Sequence, residues 1–277
     1  MHAAELLGPD GPLARALSRY EHRPAQLDMA EAVERALERE SVLLVEAGTG
    51  TGKTLAYLVP ALLSGKKIVV STGTRNLQDQ IMEHDVPLLA AHLGVPVEVA
   101  CLKGLGNYLC LRRYEELRVS PEGSTGPLAK ALRVVQDWHE RTETGDRAEL
   151  DRLPEDAPIW AHVTSGTDTR IGPRCTYFDE CFVTRARREA EAARIVVVNH
   201  HLFFADLAMR EARGAGALPD YDAVIFDEAH QIEDIATDFF GVRVSTARVE
   251  KLLRDSDRAI GAAGLRDEAG TIVGHAG

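Results

Sequence analysis

Residues 41–63 read SVLLVEAGTGTGKTLAYLVPALL. The short apolar run Ser41 to Val45 predicts a buried parallel strand. Ala47, Gly48, Thr49, Gly50, Thr51 and Gly52 follow, then Lys53 and Thr54, then Leu55, Leu58, Leu62 and Leu63 at helical spacing. Strand, glycine-rich turn and helix in that order are the context a phosphate-binding loop requires. Glycines let backbone N–H groups curl around phosphate oxygens, and the helix N-terminus adds the positive end of its dipole. In such a loop Lys53 neutralises the β- and γ-phosphates and Thr54 gives its hydroxyl to Mg²⁺. Ala47 stands where the general pattern has Gly. A glycine-rich turn that binds nothing is the plain alternative, and the GKT ending in this context weighs against it.

Far downstream lies YDAVIFDEAHQIED, residues 221–234. Ala223 to Phe226 predicts a second short strand, whose carboxyl end delivers Asp227 and Glu228 where an open α/β sheet binds its ligands. Adjacent carboxylates raise each other's pKa unless a cation is near. Asp227 is suited to hold Mg²⁺, and Glu228 to orient and deprotonate an attacking water. A lone histidine is more often a packing or surface residue, but His230 sits inside D-E-A-H, which favours relaying the nucleotide state. The two motifs together imply an ATP site. Gln26, in RPAQ before the loop strand, carries an amide that can both donate to and accept from adenine; a surface glutamine is the bland alternative.

Composition bounds the rest. The chain has 277 residues, 45% hydrophobic, enough for one large α/β domain or two smaller ones. No apolar run is long enough to span a bilayer, and the N-terminus lacks the basic-then-apolar order of a signal peptide. A soluble cytoplasmic protein with no membrane partner is the expectation. A net charge of −11 argues against a surface coated in positive charge, not against a local basic channel. The four cysteines are core thiols, ligands or nucleophiles rather than a disulfide framework.

The segments YEHRPAQLDMAEAV, VEAGTGTGKTLAYLVPALL, VVSTGTRNLQDQI, LKGLGNYLC, ECFVTRARREAEAARIVVVNHHLFFAD and VIFDEAHQIEDIATDFFG occur in this order. With them the chain resembles, over nearly its whole length, the DinG/YoaA-like branch of XPD-type helicases. That resemblance implies an ATP-driven 5′-to-3′ DNA helicase of superfamily 2 that translocates on single-stranded DNA in repair or replication. It implies an α/β fold: a RecA-like P-loop domain with a parallel sheet, interrupted by an inserted, mostly helical, cysteine-containing subdomain. The expected divisions are a first motor part over 1–100, an insert over 101–193, a second motor part over 194–234 and the start of an arch over 235–277. The family's second motor domain, with its arginine finger, has no counterpart here. A monomer is expected, and as the N-terminal part of such a helicase it is expected to bind ATP·Mg²⁺ weakly, hydrolyse it poorly and not unwind DNA alone. The other readings are a non-catalytic fragment that binds nucleotide and single-stranded DNA, and an RNA helicase of DEAH type, which would have no reason for the cysteine insert.

The resemblance also assigns DNA-backbone contacts to STGTRNLQ, residues 71–78. Ser71, Thr72 and Thr74 at the end of a strand suit phosphate oxygens, although Thr74 would equally serve as a helix N-cap. His200 and His201 look like a metal pair, but adjacent side chains on a strand point to opposite faces. An iron–sulfur cluster, held by four cysteines in the family, would take Cys110, Cys175 and Cys181. The remaining position is Arg170, which has no lone pair for iron, so a 4Fe-4S cluster is in doubt. Asp168 or His162 could substitute, and Cys101 reads as a buried thiol. Arg185, Arg187 and Arg188 open a helix that is either a solvated salt-bridged face or, as the resemblance implies for Arg187 and Arg188, part of the path for single-stranded DNA.

Overall fold

The computed structural model describes residues 2–16, 21–48 and 50–241, with 246, 253 and 256 beyond them. It divides into two units, Met1–Ile235 and Ala236–Gly277. Most of the expected arch segment thus lies outside the described residues. No described helix is long and apolar enough to cross a membrane.

The centre of the first unit is a sheet of four parallel strands: β1 (Ile68–Thr72), β2 (Val99–Cys101), β3 (Ile195–Asn199) and β4 (Ala223–Phe226), in the order β2-β3-β1-β4. Val70 lies beside Val197 on one side and Ile225 on the other. The central strands β1 and β3 are runs of Val and Ile and are buried on both faces, as helices on either side of a parallel sheet require. The edge strand β4 is half-buried. Helices α1 (Pro24–Arg39) and α2 (Lys53–Leu63) pack on each other through Ala30, Val33 and Leu37 against Ala56, Leu58 and Leu62. Helix α3 (Arg75–Gln80) follows β1 directly.

One expected element is absent. Ser41–Val45 forms no strand, and Val42 and Leu44 are 101% and 89% exposed. A strand exists only by pairing with a neighbour, and among the described residues no strand pairs with this segment. The paired histidines also differ from expectation. They open a helix rather than end a strand, because Asn199 caps its first turn by accepting from the Leu202 amide at 2.8 Å.

Parallel neighbours need a long crossover. Between β2 and β3 that crossover is residues 102–194, which build a small helical body of α4 (Leu111–Val119), α5 (Ala129–His139), α6 (Trp160–Val163) and α7 (Phe182–Ala192). Its own core is aromatic: Trp138 meets Trp160 edge-on at 6.2 Å, and His139 lies between Tyr114 and Phe182. Gly145, at φ 66°, passes so close to the Phe182 ring that a Cβ would collide with it. Helix α8 (His200–Arg213) leads from β3 towards β4.

Lys103 ties this body to α3. It is 6% exposed, and its Nζ lies 2.5 Å from both Asp79 on α3 and Asp146 in the insert. Burial pushes its ammonium down, yet the bonds to Asp146 and Asp79 outweigh burial and hold it above its ordinary value. Lys103→Met would leave two carboxylates facing each other without a cation. Because Asp79 is partly exposed, the expected loss is about 3 kcal/mol, the lower end for breaking a buried pair. Urea denaturation of both proteins measures it; equal midpoints would mean the triad does not join the two bodies.

Candidate functional site

The site gathers where α2 begins and β4 ends. Gly50 and Gly52 have φ of 77° and 78°, and Gly52 is the N-cap of α2. A side chain at Gly52 would be doubly excluded, by its left-handed backbone and by the Gln26 amide against it. Gln26 donates to the Gly52 carbonyl at 3.0 Å, and Arg23 donates to the Gly50 carbonyl. Thr51 closes the turn by donating to Gly48. Both RPAQ side chains therefore hold the loop. Gln26, expected to read adenine, is 7% exposed and gives amide N–H to the loop itself. Thr49 lies outside the described residues.

Lys53 Nζ donates to the Ala47 carbonyl at 3.2 Å and stands 3.8 Å from Glu228 Oε1. Motifs separated by most of the chain thus share one charge pair. Tyr57, one helical turn after Lys53 and 1% exposed, donates to Asp227 Oδ2 at 3.1 Å. Burial first, then the Asp227 charge, hold its hydroxyl well above the ordinary tyrosine value, so it stays a donor. Thr54, the residue after Lys53, and Asp227 offer the hard oxygens that Mg²⁺ takes, so the donor set fits that ion. The Asp227 amide donates to the Ser71 carbonyl at 2.8 Å, and Glu228 turns out with φ 58°. That left-handed conformation is costly for a side chain with a Cβ and is tolerated where the surroundings over-determine it. His230 is 70% exposed and sits 3.4 Å from Glu228 Oε2.

The expected DNA contacts divide. Ser71 and Thr72 are fully buried and their hydroxyls turn inward, Ser71 to His200 Nδ1 at 2.6 Å and Thr72 to the Thr74 carbonyl at 3.1 Å. Neither hydroxyl is available to a phosphate, because β1 is a central strand covered on both faces. Thr74 is exposed and caps α3 by accepting from the Leu77 amide at 3.3 Å. His200 is also fully buried, and burial pushes its imidazole down, so it is neutral. Its Nε2 lies towards the main chain of Asp227 and Glu228 without a well-formed hydrogen bond. Arg188 is exposed, 3.1 Å from Asp179 and over the Phe178 ring; Arg187 is half-buried, with burial and then Arg170 pushing its guanidinium down. Tyr57 was discoverable from its helical spacing to Lys53. Nothing local in the sequence announces the Ser71–His200 bond.

Cys110, Cys175 and Cys181 line one cavity with Arg170. The iron–sulfur cluster does not fit there. Arg170 Nη1 donates to Cys181 Sγ at 3.5 Å and Nη2 to Thr184 Oγ1 at 3.3 Å, so a cation fills the place of the fourth thiolate. The cavity is about 30 Å³, room for a water or two rather than a four-iron cube. His162 and Asp168 are exposed and do not line it. Burial pushes the Cys181 thiol up, but the Thr184 amide and hydroxyl with Arg170 outweigh it and hold the thiol below its ordinary value. Cys101 is elsewhere, a half-buried thiol pushed up to about 12 by burial.

Residues 25–117 match the model of the DEAD/DEAH box helicase family. The chain is 41% identical over 252 residues to the ATP-dependent DNA helicase YoaA of Haemophilus influenzae, covering 91% of this chain and 39% of that protein. It is 42% identical to YoaA of Escherichia coli, over 89% of this chain and 39% of that protein. It is 33% identical to the ATP-dependent helicase DinG of Mycobacterium tuberculosis, over 86% of this chain and 38% of that protein. The chain thus spans about two fifths of the length of these relatives.

The Arg170 geometry has a direct test. Anaerobic preparation with iron and sulfide should leave the wild type without bound iron or visible absorbance, whereas Arg170→Cys should acquire both. Stoichiometric iron in the wild type would show that the guanidinium yields its place.

Proposed function

We propose, on the premise that the chain belongs to the DEAD/DEAH box helicases of the YoaA and DinG kind, that it is the nucleotide-binding motor portion of an ATP-driven 5′-to-3′ DNA helicase. The observation that carries this reading is the Lys53–Glu228 pair at 3.8 Å, with Asp227 tied to the same helix through Tyr57. Lys53 meets the β- and γ-phosphates; moving to them releases Glu228 from its ion pair. Glu228 then orients and deprotonates the attacking water, and its left-handed backbone sets the direction of its carboxylate. Thr54 and Asp227 would hold the Mg²⁺ that accompanies ATP, which would spread the phosphate charge. His230, beside Glu228 and exposed, carries the state of the site outwards. Single-stranded DNA runs over the exposed Thr74 and over Arg187 and Arg188, which neutralise its phosphates. A second motor domain completes the machine and supplies the transition-state cation.

Titration with a fluorescent ATP analogue separates the roles. Lys53→Ala should weaken binding at least about tenfold, the loss of one charge-assisted contact or more. Glu228→Gln should bind as tightly as the wild type and lose the residual hydrolysis. Equal affinity in wild type and Lys53→Ala would remove the ATP site. Reversing both charges with Arg187→Glu and Arg188→Glu should weaken binding of an oligothymidine at low salt; unchanged affinity would take α7 off the DNA path.

A further inference from the structure

We infer that the free edge of β2 is a docking slot for an extended, basic segment of a partner protein, which adds to the sheet as a further strand. The slot shares no residue with the nucleotide site or with the residues assigned to DNA.

Among the described residues β2 has one neighbour in the sheet, β3. The Ile195 amide donates to the Glu98 carbonyl, and the Leu102 amide donates to the Val197 carbonyl. Residues 98, 100 and 102 therefore face β3. By the alternation of a parallel ladder, Val97, Val99 and Cys101 turn their N–H and C=O groups outwards. No described strand meets them. That edge opens on a cavity of about 790 Å³, one wall of which runs from Val97 to Cys101. At about 3.3 Å per residue, the wall takes a strand of about five residues. Helix α7 gives Phe182, Ala186 and Glu189 to the cavity, and Asp79 and Met82 come from α3 and the turn Ile81–Asp85 after it. A main-chain edge and side chains from two helices thus bound one slot.

Charge selects the occupant. Seven of the residues lining the cavity are Asp or Glu, and two are Lys or Arg. Lys103 is already spent on Asp79 and Asp146, and Arg185 lies over the Phe182 ring. Glu83, Glu143 and Glu189 are exposed and make no ion pair among the described residues. Val97, Val99, Met82 and Phe182 add apolar wall beside them. A strand with apolar side chains on one face and Lys or Arg on the other matches both kinds of surface. Its main chain takes the outward N–H and C=O groups of β2, and its cations meet the three carboxylates that have no ion partner. Nucleic acid has the wrong charge for these walls. A second copy would set one acidic wall against another, in a chain whose net charge is −11.

The test uses the full chain and a fluorescent peptide of alternating valine and lysine, followed by anisotropy at low salt. The peptide should bind, and added salt should weaken it steeply. A peptide of alternating valine and glutamate should not bind. Neither should the valine–lysine peptide with every amide N-methylated, which keeps its charge and loses its donors. Hydrogen exchange should slow at the Val99 and Cys101 amides when the parent peptide is bound. Reversing two charges together, Glu83→Lys with Glu189→Lys, should weaken the peptide about tenfold and leave the melting temperature unchanged. If that variant melts early, the N-methylated peptide on the wild type decides. Equal binding of the N-methylated peptide would reduce the contact to charge attraction and overturn the slot. So would protection elsewhere than on β2, or no binding of the parent peptide at low salt. Protection of the same amides that rises with protein concentration alone would assign the edge to a second copy and overturn the proposal as well.

Discussion

Two adjacent carboxylates at the end of β4 are the charge around which the site is arranged. Side by side, Asp227 and Glu228 repel, and each needs its own counter-group. Lys53 answers Glu228, and Tyr57 answers Asp227 from one turn further along the same helix. Left-handed backbone at Glu228 keeps the two side chains apart. These contacts require α2 to lie against the end of the sheet, and that in turn requires its apolar face, Ala56, Leu58, Val59 and Leu62, to be buried there. The core is thus the device that brings residues 53 and 227 together. A shift of one residue in β4 would send Asp227 to the opposite face and break both pairs.

The same strand end is coupled to its neighbour. The Asp227 amide bonds the Ser71 carbonyl, and the Ser71 hydroxyl bonds His200, whose ring packs against Phe226. A neutral buried imidazole therefore sits under the two carboxylates and spans β1, the start of α8 and β4. The exposed Thr74 is three residues beyond Ser71 on the same chain segment. The link from β1 to the two carboxylates thus runs through buried groups rather than through a loop.

How much of this was readable in the sequence follows from which interactions are local. The helix after the glycine-rich turn, the strand ending in Asp227 and the helix at Phe182 are written in short patterns, and they stand where those patterns put them. Ser41–Val45 has as good a strand pattern as β1, yet it is solvated, because apolar content cannot supply a pairing neighbour. Ser71 and Thr72 look like surface hydroxyls only if the burial of β1 on both faces is left out. His200 and His201 read as strand residues until the Asn199 side chain is seen to start a helix. Sequence shows the chemistry of single segments; the meeting of distant ones is decided by packing.

The missing fourth thiolate is the clearest case of chemistry and packing deciding different things. A metal cluster gives a small domain an internal cross-link where its own core is thin. This insert has a core of its own, with Tyr108, Tyr114, Trp138, Ile159, Trp160 and Phe182 buried, and Lys103 adds a charged tie to α3. At Arg170 the cross-link survives in another form: one guanidinium reaches both Cys181 and Thr184 at the start of α7. Such a tie is weaker than coordinate bonds, but it needs neither iron nor the simultaneous presence of four thiolates. An insert already held by aromatic packing can accept that exchange, and its position between β2 and β3 then depends on the side chains rather than on a cofactor.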